Sequence, residues 1–132
     1  MSLLDRINAH PLPFANALGV EFLTAEPDAV TARMRVTPAL CTLGGVAHGG
    51  AIMSFADTLG GVAAFVNLPA HAKGTTTLES KTNFVGAAPE GSTLIGRCTP
   101  IHKGRRTQVW LTRIETEPGK LIALTLQTQM AL

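Results

Sequence analysis

Cysteine is scarce in this chain of 132 residues, formal charge is almost balanced, and no apolar run reaches the length of a bilayer span. Each shortage excludes something. Cys41 and Cys98 lie too far apart in sequence for a C-x-x-C pair, so two reduced, buried thiols are expected rather than a disulfide scaffold. Eleven Lys and Arg against nine Asp and Glu leave a net charge of +2, and aromatics make up only 5% of the residues with no tyrosine. A basic stripe interleaved with aromatics, the footprint of a nucleic-acid binder, is missing. A membrane span wants about 20 apolar residues, and the best stretch here is interrupted by Ser54, Asp57, Thr58 and the pair Gly60 and Gly61. The opening MSLLDRINAHPLP offers neither the apolar segment nor the small-residue cleavage site of a signal peptide, so a soluble, cytoplasmic protein without a membrane partner is expected. There is no G-x-S-x-G elbow to support a serine-hydrolase mechanism. His10, His71 and His102 show no ligand spacing with one another or with the cysteines, so no metal site is expected.

What the chain does have is one dominant stretch, Leu43 to Asn67. From Ala51 to Val66 nearly every side chain is apolar or tiny, and Asp57 is the only formal charge. This predicts a helix over Gly49 to Val66, stopped by Asn67 and Pro69. A helix apolar on all sides has to be buried, and a lone carboxylate within it must be hydrogen-bonded, shifted in pKa or at work. His48, Gly49 and Gly50 lead into the first turn, where free amides and the dipole can hold a developing negative charge. Gly60 and Gly61 each weaken a helix by about 1 kcal/mol relative to alanine, so close packing is expected at both.

Around this helix the periodicities are those of strands. Ser2 to Ala9 forms a short amphipathic helix broken by Pro11 and Pro13. Phe14 to Leu18 leads into a first strand at Val20 to Ala25, with turn residues Glu26, Pro27 and Asp28 after it. Val30, Ala32, Met34 and Val36 alternate with polar neighbours and define a second strand with one buried face. A loop from Cys41 to Gly45 feeds the helix. Four more strand-like runs follow it, Thr75 to Val85, Ser92 to Ile101, Thr107 to Thr116 and Leu121 to Met130, which read as a meander. In the last, Ile122, Leu124, Leu126 and Met130 form the apolar set and Ala123, Thr125, Gln127 and Gln129 alternate with them. Strands and helices do not alternate, so the expected fold is α+β. It is one domain over residues 1–132, a long central helix wrapped by a curved antiparallel sheet.

The sequence at this point resembles the hotdog-fold acyl-CoA thioesterases of the phenylacetic-acid-degradation (PaaI) type. The resemblance rests on G-x-x-H-G-G-A at Gly45 to Ala51, F-A-D-T at Phe55 to Thr58 and H-K-G-R-R-T at His102 to Thr107, and it runs from Phe14 to the C-terminus. It implies that Asp57 acts as nucleophile or general base on a thioester carbonyl and that the Gly49 amide polarises the carbonyl oxygen. It further implies that a hydroxyl early in the next strand, here Thr77, orients the attacking group. The family often carries Asn or Gln six residues before the HGG histidine to place the acid or the water; Thr42 stands there in this chain. Lys103, Arg105 and Arg106 match a turn that faces the phosphates of coenzyme A, joined by Gly50 in the substrate-binding set, with Arg97 and Lys73 as secondary cations. His48 is a secondary catalytic candidate beside its plainer role of fixing the helix start by hydrogen bonds.

On a straight helix Gly49 and Asp57 stand eight residues apart, roughly 12 Å along the axis. One thioester carbon cannot touch both. The acid must meet the glycine amide of another subunit, which argues for a homodimer with two composite sites; the resemblance implies dimers that pair into a homotetramer. The expected activity is hydrolysis of an aromatic or medium-chain acyl-CoA to acid and CoA, with no cofactor beyond the CoA of the substrate. The alternatives are a non-catalytic acyl-CoA-binding module and a hotdog hydratase or dehydratase.

Overall fold

Ser2 opens the first helix, α1 (Leu3–Asn8), with a capping box: its hydroxyl accepts from the Asp5 N–H at 3.0 Å and the Asp5 carboxylate accepts from the Ser2 N–H at 3.1 Å. The computed structural model describes all 132 residues. A second helix, α2 (Pro13–Leu18), follows where the sequence predicts only a lead-in to the first strand. Proline at the first helical position sacrifices no intrahelical bond, and Gly19, with φ of 76°, closes the helix in the left-handed region.

Strands β1 (Glu21–Glu26) and β2 (Ala29–Arg35) form the expected hairpin. A 3-10 turn at Pro38–Leu40 and a miniature hairpin, β3 (Cys41–Thr42) with β4 (Val46–Ala47), replace the plain loop ahead of the long helix. That helix, α3, spans Gly49–Val66 as expected. Then come β5 (Thr75–Phe84), β6 (Thr93–Lys103), β7 (Thr107–Thr116) and β8 (Leu121–Ala131). The six long strands make one antiparallel sheet in the order β1-β2-β6-β7-β8-β5, curved over α3. The α+β arrangement expected from the sequence is the one present.

The four-strand meander is not. Only β6, β7 and β8 run consecutively; β5 pairs with β8 and forms the far edge. The connection from β5 to β6 is pinned elsewhere, with Ala88 O accepting from Ala47 N–H at 2.8 Å and Gly91 N–H donating to Val36 O at 2.8 Å. The chain is thereby carried across to the β2 side, where β6 pairs with β2.

Along β2 and at the residue that follows it, the expected inner set, Val30, Ala32, Met34 and Val36, is fully buried. On β8 the expected face is reversed. Thr125, Gln127 and Gln129 are buried under α3, whereas Leu126 is 43% exposed on the outside. Register shifts where β7 and β8 begin their pairing, so Ile122 and Ala123 are both buried. Alternation identified a strand, but hydrogen-bond partners on α3 decided which face turned inward.

The helix itself is buried on one side. Ile52, Phe55, Ala56, Leu59, Gly60, Ala63 and Ala64 press on the sheet, and burial of the Phe55 ring alone is worth about 2–3 kcal/mol. Met53 and Phe65 stay 39% and 45% exposed. The expectation of burial on all sides fails for the single chain because the sheet covers only one face. The two central glycines divide in the same way. A Cβ on Gly60 would run into the side-chain amide of Gln127, while one on Gly61 would meet nothing within 4 Å. Gly60→Ala is therefore expected to lower unfolding free energy by about 1–3 kcal/mol through overpacking. Gly61→Ala should raise it by up to about 1 kcal/mol through helix propensity. Urea denaturation of the two variants checks the opposite signs.

Candidate functional site

The start of α3 is held by His48. As N-cap, its Nδ1 accepts the Gly50 N–H at 2.8 Å, and its carbonyl accepts from Ala51 N–H at 2.9 Å. An Nδ1 that accepts is unprotonated, so the neutral ring carries its proton on Nε2. A Cβ on Gly50 would lie 2.9 Å from that Nδ1, which explains the glycine. No hydrogen bond within the chain uses the Gly49 N–H. This leaves a free backbone donor at the positive end of an 18-residue helix.

Asp57 sits just over two turns further on, exposed on the open face of α3. The expectation of a buried carboxylate is corrected, since the face that carries it is the one the sheet leaves uncovered. The expected Thr77 contact is present: its hydroxyl reaches Asp57 Oδ1 at 3.5 Å from β5. Beneath Thr77 lies a network that includes Gln127 and Gln129, which the sequence set apart from the apolar positions of the last strand. Gln129 Nε2 donates to Thr77 Oγ1 and to Gln127 Oε1, both at 2.6 Å, and Thr75 Oγ1 donates to Gln129 Oε1 at 3.1 Å. Gln127 Nε2 donates to Ala56 O on α3 at 3.2 Å. Both amides are almost fully buried, so the chain of dipoles is sheltered from water and holds the Thr77 oxygen with its proton aimed at Asp57. The signal in the sequence was the two glutamines at period two beside a helix glycine.

Asp57 also stands at the mouth of a groove of about 660 Å³ between α3 and the N-terminal helices. Its floor is one stripe of α3, running through Gly61, Val62 and Phe65, and its wall is Leu12, Pro13 and Phe14. The walls are largely apolar.

The other expected residues are dispersed. Thr42 is exposed on the miniature hairpin and makes no side-chain hydrogen bond to Asp57, His48 or Thr77. Lys103 lies by the C-terminal end of α3, where its Nζ bonds Asp28 Oδ1 at 2.5 Å and Asn67 Oδ1 at 3.3 Å, so it is not a free cation. Arg105 and Arg106, in the same turn, are exposed and form no ion pair. Arg97 is exposed on the outer face of the sheet, opposite Arg113, away from α3. Lys73 is exposed ahead of β5. Both cysteines are free thiols; burial pushes Cys98 up to about 11 against the opposing effect of the Thr112 hydroxyl, leaving it protonated and inert at neutral pH. No group of three His, Cys, Asp or Glu side chains is placed to hold a metal.

The model of the thioesterase superfamily matches residues 44–123, from the loop before α3 into β8. The 1,4-dihydroxy-2-naphthoyl-CoA hydrolase of Escherichia coli is 35% identical over 104 residues, which is 79% of this chain and 75% of that protein. Among solved structures, thioesterase HI1161 of Haemophilus influenzae superposes with a TM-score of 0.89 at 28% identity, covering 100% of this chain and 91% of that one. The Escherichia coli PaaI protein of the phenylacetic acid degradation operon shares the fold, with a TM-score of 0.86 at 22% identity over 97% of this chain and 90% of that one. With an HGG helix start, a helical acid and this sheet order already in place, the chain belongs to the thioesterase superfamily, as a hotdog-fold thioester hydrolase of the PaaI type.

Proposed function

We propose that the protein is a cytoplasmic, cofactor-free acyl-CoA thioesterase, hydrolysing an aromatic or medium-chain acyl-CoA to the free acid and CoA. The observation that carries this reading is Asp57, oriented by the Thr77 hydroxyl at the mouth of an apolar groove. The name of the naphthoyl-CoA hydrolase relative supports a CoA thioester of an aromatic acid.

In this reading residues 1–132 form one hotdog domain that acts as a homodimer, two of which pair into a homotetramer. Asp57 of one protomer and the Gly49 N–H of the partner flank a single thioester. The carboxylate attacks the carbonyl carbon, or takes a proton from the water that does. Either route places negative charge on the carbonyl oxygen, where the unpaired Gly49 amide and the helix dipole stabilise it, and expels the CoA thiolate. Thr77 holds the carboxylate, with Gln129 holding Thr77. His48 and Gly50 shape the donor end, and Arg105 and Arg106 lead Lys103 as partners for CoA phosphates. Thr42 would lie near the attacking water. Dimerisation is supported by the edge strand β5, ten residues long, in which Leu78 is 57% exposed and after which Val85 is 56% exposed.

The test is a panel of aryl and medium-chain acyl-CoAs with detection of released thiol. Turnover of at least one aromatic or medium-chain member is expected. Tight binding of the panel without thiol release would overturn the reading in favour of a binding module.

A further inference from the structure

The groove beside Asp57 is not apolar to its end. Along α3 the positions Asp57, Gly61 and Phe65 share one face, and they span roughly 12 Å. At the far end two polar side chains of α1 and its following turn, Arg6 and His10, line the same cavity. His10 is held in place twice over. Its Nδ1 donates to Arg6 O at 2.7 Å, and its ring meets Phe65 edge-on at a centroid distance of 6.1 Å. The first contact commits Nδ1 and leaves Nε2 for another partner. Arg6 pairs with no carboxylate. A guanidinium and a ring nitrogen, both exposed and without a partner, thus line the end of an apolar groove that also holds the candidate carboxylate.

Resting on the thioesterase reading above, we propose that Arg6 and His10 recognise a hydroxyl at the distal end of the acyl group: the guanidinium donates to its oxygen, and His10 Nε2, left with its lone pair because Nδ1 donates, accepts its proton. The substrate class is then an acyl-CoA with an apolar body about as long as an octanoyl chain and a polar terminus. The apolar part lies over Gly61, whose missing side chain leaves the floor open. The terminus meets the guanidinium in a charge-assisted hydrogen bond.

Three substrates of matched length test this: octanoyl-CoA, its ω-hydroxy analogue and its ω-carboxy analogue. A hydrogen bond to a charged group corresponds to about tenfold or more in kcat/KM, so the ω-hydroxy substrate is expected to exceed octanoyl-CoA by that factor and to lead the ω-carboxy one, whose anion gains Arg6 but meets the lone pair of His10 Nε2. In Arg6→Met, which keeps the apolar stem, the ratio of ω-hydroxy to plain substrate should fall toward one, and His10→Phe should lower it further in the double variant. Gly61→Leu, which fills the floor, should lower kcat/KM for all three by tenfold or more relative to acetyl-CoA. Equal kcat/KM for the three in the wild type, or an unchanged ratio in Arg6→Met, would overturn this inference while leaving the thioesterase reading intact. No hydrolysis of any acyl-CoA would overturn both.

Discussion

Asp57→Asn is expected to lower kcat by about three orders of magnitude, the loss of an acid-base or nucleophilic group held at the reacting carbon. The side chain is exposed, and asparagine preserves its shape and one acceptor oxygen, so stability should change by no more than about 0.5 kcal/mol. The contrast between those two effects is what identifies a working group. Because the carboxylate acts on the bound thioester, the loss should fall on kcat more than on KM. Thiol release under saturating acyl-CoA, with urea unfolding run in parallel, measures both. A folded Asp57→Asn that retains wild-type kcat would remove Asp57 from the mechanism.

The second large effect concerns the oxyanion donor. Gly49→Pro deletes one N–H and little else: proline is accommodated at the first helical position, and His48, at φ −63° and ψ 136°, already has the backbone that a residue before proline prefers. The ring would crowd Phe84, whose Cζ lies 3.3 Å from a Cβ at this position, but that side chain is 49% exposed and free to turn. Removing one such donor typically lowers kcat by about a hundredfold to a thousandfold. Gly49→Pro and Asp57→Asn are then each nearly inactive for different reasons. If one subunit supplies the acid and the other the amide, a mixed dimer of the two variants contains one intact site and one doubly defective site. Equal mixing, after subunit exchange, should restore about a quarter of wild-type activity, because half of the dimers are mixed and half of their sites are whole. Exchange followed by native mass spectrometry with no recovery of thiol release would show that both groups serve within one chain.

The parts of this protein that were legible in its sequence are the ones set by local rules. The bounds of α3 follow from an apolar run with a histidine cap before it and Asn67 and Pro69 after it, and the structure places the helix at Gly49–Val66 as read. The buried face of β2 follows from period-two alternation because nothing polar competes for that face. The HGG start and the helical acid were visible as spacing, and with them the superfamily. The short helix α2 was missed because Pro13 reads as a breaker when it is in fact a starter.

What escaped the sequence was decided by partners distant along the chain. Burial of Gln127 and Gln129 is favourable only because Ala56 O, Gly60 and Thr77 meet them from α3 and β5, 52 to 71 residues away along the chain for the hydrogen bonds. The β5 edge position depends on where the following loop is anchored, at Ala47 and Val36. The two central glycines, alike in sequence, became unlike when the sheet covered Gly60 and left Gly61 facing a groove. The sequence by itself determined the six long strands and α1, the helix α3 with its acid and cap, and the family. The tertiary structure alone decided which face of α3 stays open, what holds Thr77 beneath Asp57, and that Arg6 and His10 stand at the far end of the same groove. Local periodicity acts over a few residues, whereas burial and hydrogen-bond satisfaction are settled only when distant strands meet the helix.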